Sequence, residues 1–246
     1  QIAQTSDFHK SETLDYFVSK FGRFVTNKLI RNIIGQPESA FNFRQVMDEG
    51  KILFLKLAKG LLGEEDANFL GLVLVPKILS AALSRQDMPR EERRPFYFYV
   101  DEFQNFATPD FAQILSEARK YGLSLTMANQ FVSQVDEEVK NAIFGNVGTM
   151  AVYRMGVADA NIMAQEYAPI FNESDMTNIP AQTAYVKTIV GGTPVPPFSM
   201  NVWRDIKAER AAGSDEVAKM IKELNRLKYG KDREVVEAEI ERRGQF

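Results

Sequence analysis

Cysteine is absent from the 246 residues, which leaves neither disulfides nor a thiolate metal site. Histidine occurs once, as His9 in a polar N-terminal stretch, where a solvated imidazole is the expectation. Zinc centres and Ser-His-Asp chemistry therefore have almost no material to work with. An excess of one charge is lacking too. Lys plus Arg number 30 against 33 for Asp plus Glu, a net charge of −3, so no overall basic field points to nucleic acid. That balance leaves open a local basic channel, or one formed only in an oligomer. Long hydrophobic runs are also missing. The best apolar stretch, Phe69 to Leu83, carries Pro76 and Lys77 and is shorter than the roughly 20 residues a bilayer requires. No secretory leader pattern opens the chain, which fits a cytoplasmic location. Gln1 stands where an initiator Met would, as expected of a fragment or a processed product. No glycine-rich G-x-x-x-x-G-K-[ST] phosphate loop occurs. Gly50-Lys51 and Gly230-Lys231 lack both the preceding Gly and the following Ser or Thr.

What is present has an ordinary globular balance, 45% hydrophobic and 26% charged, with ample material for a core. Length alone allows one large domain or two small ones. The chain turns on Pro95 to Phe106. Phe96, Tyr97, Phe98, Tyr99 and Val100 run without a polar residue, as in a strand buried on both faces of a parallel sheet. The run stops at Asp101 and Glu102. An apolar strand delivering Asp-Glu at its carboxyl end matches a Walker B element, and ligands of open α/β sheets sit at that end. Asp101 could then hold Mg²⁺, and Glu102 could orient or deprotonate an attacking water. A core strand followed by an acidic turn fits the same residues.

Around this stretch, helices and strands alternate, which argues for βαβ units. Ser11 to Ile34 is expected to be helical, with Leu14, Phe17, Val18, Phe21 and Val25 on one side. Phe41 to Glu49 reads as a short helix stopped by Gly50, Lys51 to Leu57 as a strand, and Glu65 to Arg85 as a buried helix. After Glu102, Thr108-Pro109 opens a helix over Asp110 to Tyr121 that Gly122 closes. Leu123 to Ala128 reads as the next strand and ends at Asn129-Gln130. A helix follows over Val135 to Phe144, a strand over Val147 to Tyr153 and a helix over Ala158 to Tyr167. Tyr185 to Val190 and Phe198 to Val202 form a hairpin-like pair. From Arg204 the chain becomes charge-dense. Val217, Met220, Ile221, Leu224 and Leu227 make one amphipathic stripe there, and a second helix follows over Asp232 to Arg243. Such a tail suits packing on the core, on a neighbouring subunit or on a docked protein.

Parallel pairing of the two strands would bring Glu102 and Gln130 to adjacent strand ends. A glutamine there can bond both a γ-phosphate and the attacking water. Taken alone, Gln130 is also an ordinary loop opener and Arg119 an ordinary surface cation. The stretch DEFQNFATPDFAQILSEARKYGLSLTMANQF closely resembles the second half of the RecA-like motor domain in TraG/TraD-type conjugative coupling proteins, the DNA-transfer ATPases of type IV secretion and relatives of the HerA/FtsK translocases. The likeness extends to SAFNFRQVMDEGKILFLKLAKGLLGEEDANFLG, to NVGTMAVYRMGVADANIMAQEYAP and to the GGTPVPPF turn, and so covers roughly Ser39 to Met200.

That resemblance implies a three-layer RecA-like P-loop NTPase fold with a mainly parallel sheet. It would be incomplete at its N-terminal side and carry a helical C-terminal tail, with segments 1–38, 39–203 and 204–246. It implies ATP and Mg²⁺ as cofactors of the complete protein. Asp101 would be the metal-binding acid, Glu102 the water-activating acid and Gln130 the phosphate sensor. Arg119 would be a finger reaching the neighbouring subunit's nucleotide. Arg154 is a lesser candidate for a nucleotide or intersubunit contact, a strand-end ion pair being the other reading. Phe103 to Phe111 resembles the family's segment for relaxosome accessory proteins. The implied partners are single-stranded DNA, relaxosome and channel proteins, and five further copies in a homo-hexamer. The parent would be anchored to the inner membrane by segments outside this chain. Two rivals remain: a secretion-assembly ATPase acting on proteins, and a non-enzymatic docking module. Without the phosphate loop, the chain by itself is not expected to hydrolyse ATP.

Overall fold

The structure, a computed structural model, describes residues 22, 27–108, 111 and 115–244. His9, Pro109, Ile114 and most of the Ser11–Ile34 helix lie outside the described residues. Along the chain the helices are α1 (Lys28–Ile34), α2 (Phe43–Asp48), α3 (Lys59–Leu62), α4 (Glu64–Leu83), α5 (Glu137–Asn146), α6 (Val157–Tyr167), α7 (Glu173–Thr177), α8 (Ile206–Ala211), α9 (Asp215–Tyr229) and α10 (Arg233–Gly244). The strands are β1 (Phe96–Val100), β2 (Leu123–Met127), β3 (Met150–Val152), β4 (Thr183–Val190) and β5 (Thr193–Asn201). They form two compact units. One comprises Gln1–Asn42, Ala58–Ala67 and Ser214–Phe246, the other Phe43–Leu57 and Asn68–Gly213.

The larger unit carries both sheets. β1 and β2 pair in parallel, Phe96 opposite Leu123 through Val100 opposite Met127. Their inner face packs on α4, whose Val75, Ile78, Leu79 and Ala82 are buried with Met47 of α2. Helix α4 is long and apolar enough to cross a membrane by length and composition, more than the Phe69–Leu83 run suggested. One stripe of it, Val75, Ile78, Leu79 and Ala82, is buried in the core, and Pro76 sits on its exposed side. Gly71 in the same helix lets Phe106 approach, since a Cβ there would lie 2.0 Å from the ring. Residues 115–117 are helical, and the 3-10 turn Ala118–Tyr121 ends at Gly122 with φ 71, as its C-cap role requires. Buried Arg85 ties these pieces together. Its Nε donates to Asp48 at 2.9 Å, and its Nη1 donates to the carbonyls of Arg94 and Tyr121 at 2.9 and 3.2 Å.

Three expectations are corrected. Among the described residues the pairing is not mainly parallel: β3 with β4 and β4 with β5 are antiparallel, and between β4 and β5 the two-residue Gly191-Gly192 connection can only reverse the chain. Lys51 to Leu57 is no strand. Ile52 and Phe54 are 84% and 90% exposed, and no described strand lies alongside to complete a ladder. β1 is buried on one face only, with Tyr97 and Tyr99 at 64% and 70% exposure on the other. One helical layer covers the pair, and the tyrosines are the residues whose hydroxyls tolerate water.

The antiparallel sheet has its own core. Val152, Ala160, Met163, Tyr167, Met176 and Ile179 pack between the strands and α6 and α7. Tyr167 is fully buried and donates its hydroxyl to the Met150 carbonyl at 2.8 Å. In the smaller unit α10 lies against α1. Val236 is buried, and the Glu237 carboxylate accepts from Asn32 at 2.9 Å and from Arg233 at 2.8 Å.

Candidate functional site

The ends of β1 and β2 are locked in register. Ala128 N–H donates to the Val100 carbonyl and Phe103 N–H to the Ala128 carbonyl, each at 2.9 Å. Parallel pairing therefore carries Asp101-Glu102 and Asn129-Gln130 to the same rim. There the Gln130 amide donates to Glu102 Oε1 at 2.9 Å, and Asn105 donates to Oε2 at 3.3 Å. Glu102 is left-handed, at φ 53 and ψ 41, a conformation that non-glycine residues adopt at a cost. The next residue, Phe103, is buried and stacks obliquely on Phe111 at 4.8 Å. The turn thus points Glu102 at Gln130 while its neighbour anchors in the core. Asp101 is exposed, and its Oδ1 accepts the Glu102 N–H at 3.0 Å.

A cleft of about 1330 Å³ adjoins this rim. All of β2 and all of β3 form its walls, with Arg119, Asn129, Gln130, Arg154 and Asp159. Among the described residues β2 pairs only with β1, and β3 only with β4. Each strand therefore offers an unpaired edge, and both strands line the same space. Asp101 and Glu102 are not part of the walls; Glu102 reaches the cleft through Gln130.

Arg119 lines the cleft as an exposed cation in the turn before β2. It stands at the strand end opposite Gln130, about 13 Å of strand away at 3.3 Å per residue. The structure therefore brings Glu102 and Gln130 together and leaves Arg119 apart from them. Arg154 is exposed just beyond β3 on the same cleft. Buried Asp159 escaped the sequence reading. Its Oδ1 accepts the Ser133 N–H at 2.9 Å and so holds the loop that follows Gln130. An acid in the first turn of α6 reads as a helix cap, so no sequence signal marks this outside contact.

Magnesium takes one or two carboxylates plus waters and phosphate oxygens. Asp101 offers a solvent-facing carboxylate that fits one such ligand. Glu102, bonded to Gln130 and Asn105, fits a role beside the metal rather than on it. No group of three or more His, Asp or Glu among the described residues forms an all-protein metal cage.

Residues 95–178 match the family model described as the TraM recognition site of TraD and TraG. No curated protein matches the chain. Among solved structures it resembles the bacterial conjugative coupling protein TrwBdeltaN70 in its unbound monoclinic form, with a TM-score of 0.59, 16% identity, and coverage of 81% of this chain and 51% of that one. It also resembles the plasmid coupling protein TrwB in complex with the GTP analogue GDPNP, with a TM-score of 0.57 at 18% identity, covering 81% of this chain and 51% of that one. The complex of TrwB with ADP and Mg²⁺ gives a TM-score of 0.57 and 18% identity, covering 81% and 50%. At these identities the likeness is one of fold, and the chain spans about half the length of the structures it matches. Segment and fold together support the resemblance read from the sequence, to the C-terminal part of a TraG/TraD-type conjugative coupling protein.

Proposed function

We propose that the chain is the Walker B half of an ATP-driven motor that moves DNA through a ring of six copies, with the phosphate cradle supplied by a segment outside these 246 residues. The carrying observation is the Gln130–Glu102 bond at coincident ends of two parallel strands, beside a cleft walled by two unpaired strand edges. The missing segment adds a strand in that cleft and brings its phosphate loop to the rim, completing a three-layer P-loop fold. Asp101 holds the magnesium and Glu102 aligns the attacking water. Gln130 chooses between Glu102 and the γ-phosphate, so its position reports whether the phosphate is present. Arg119, remote from its own Glu102, completes the site of the adjacent subunit, and Arg154 supports nucleotide or intersubunit contact. Segments outside this chain anchor the parent to the inner membrane.

The test is DNA-stimulated phosphate release by the parent protein. Full activity in the native parent, with loss on Glu102→Gln and on Arg119→Ala, is the expected result. The 246-residue chain alone releases none. Rapid release from that chain, abolished by Glu102→Gln, would overturn the assignment of the cradle to another segment. Stimulation by protein rather than DNA would favour a secretion-assembly ATPase. A second reading rests on the family segment at residues 95–178: the surface docks a relaxosome accessory protein. Retention of that binding in the Glu102→Gln parent would separate docking from catalysis.

A further inference from the structure

Among the described residues of its unit, helix α9 buries none of its apolar side chains. Every residue from Asp215 to Lys228 is exposed, and only Tyr229 turns inward, edge-on to Phe41 at 6.1 Å. A helix of 15 residues is marginal in water without tertiary packing. Its apolar side chains nevertheless fall on one line. Val217, Met220, Leu224 and Leu227 are 47%, 57%, 64% and 68% exposed. Their spacing of three, four and three residues is that of alternating a and d positions over two heptads.

We propose that α9 is a self-association seam, pairing in parallel with α9 of a second copy of this chain. The charges choose both partner and direction. With Val217 at a, Glu216 and Glu223 occupy g positions, and Ile221 and Lys228 occupy e positions. In a parallel pair a g residue faces the e residue five places later in the other copy. Glu223 then meets Lys228, and Glu216 covers Ile221. In an antiparallel pair the g positions face each other, so Glu216 opposes Glu223 and like charges repel. Within one chain Arg226 donates to both Glu223 oxygens on the outer side, Nε to Oε2 at 2.9 Å and Nη2 to Oε1 at 2.6 Å, which still leaves further lone pairs on each oxygen for a lysine across the seam. Two heptads are short for a free-standing coil, so the contact acts with the other surfaces that hold the copies together.

The absence of cysteine makes the test clean. In the full chain, Leu224→Cys and, separately, Val217→Cys are oxidised mildly and run without reductant. Each is expected to give disulfide-linked dimer at least ten times faster than Lys222→Cys, on the outer face. Mixing Val217→Cys with Leu227→Cys is expected to give little mixed dimer, because a parallel register keeps the two positions apart. Sedimentation velocity should show mass rising with concentration, with the midpoint moved at least tenfold upward by Leu224→Glu. All sites are exposed, so the fold survives, as circular dichroism checks. Equal rates at positions 222 and 224, or a thiol at 224 that is unreactive because another segment covers it, would overturn the proposal. A dominant 217–227 mixed dimer would overturn the direction.

Discussion

At Glu102, function and local stability pull apart. The left-handed backbone there disfavours a residue with a Cβ, yet only a side chain can reach Gln130. Glu102→Gly relieves the backbone and removes two half-exposed hydrogen bonds. It is expected to raise the urea midpoint, by up to about 1 kcal/mol in stability. The same variant should abolish phosphate release by the parent. A fall of more than about 1 kcal/mol would show that the bonds to Gln130 and Asn105 outweigh the strain. The identity of this residue was legible from an apolar run ending in Asp-Glu. Its conformation was not, since φ is set by the anchoring of Phe103 and the pairing at Ala128, both of which depend on β2. Asp159 illustrates the complementary blindness: its partner, Ser133, lies in another element that sequence spacing does not reveal.

Among elements, legibility followed self-sufficiency. α4, α5 and α6 carry their own periodicity and appear within two residues of expectation; the β4–β5 hairpin forms too, but β5 begins at Thr193, five residues before the expected Phe198 and inside the GGTPVPP segment. Lys51 to Leu57 has the composition of a strand but needs a neighbour's backbone groups, and propensity cannot supply one. Composition likewise says nothing about parallel or antiparallel pairing; the short glycine turn answers it for β4 and β5, and nothing local does so for β3 and β4. Gly71→Ala gains helix propensity of about 1 kcal/mol but drives a methyl into Phe106. Thermal unfolding should show a net loss of about 1–2 kcal/mol, as for overpacked cores. It should also loosen the Asp101–Phe106 turn. Arg233 and then Asn32 hold the Glu237 carboxyl down to about 2, from an ordinary 4.5. A depressed carboxylate contributes stability above its unfolded value and loses it as the pH falls towards the folded one. Protection factors across α10, that is exchange rates corrected for the intrinsic pH dependence, should therefore fall between pH 4.5 and 2, and Glu237→Gln should remove most of that fall.

Across the molecule, the sheet edges decide what this chain can do alone. The ladder gives each β2 amide a side. Gly122 and Ala128 bond towards β1, so Ser124 and Thr126 do as well, while the N–H groups of Leu123, Leu125 and Met127 point away from it. An edge of this kind is a template for another strand, and β3 presents a second across the same cleft. In the isolated chain, the Leu125 and Met127 amides should exchange orders of magnitude faster than those of Ser124 and Thr126 in the same strand. Supplying the phosphate-loop segment, in the intact parent, should bring both sets to similar protection while the β1 amides change little. Slow exchange at Leu125 in the chain alone would mean that its edge is already covered, and the cleft could not accept the strand on which a completed nucleotide site depends.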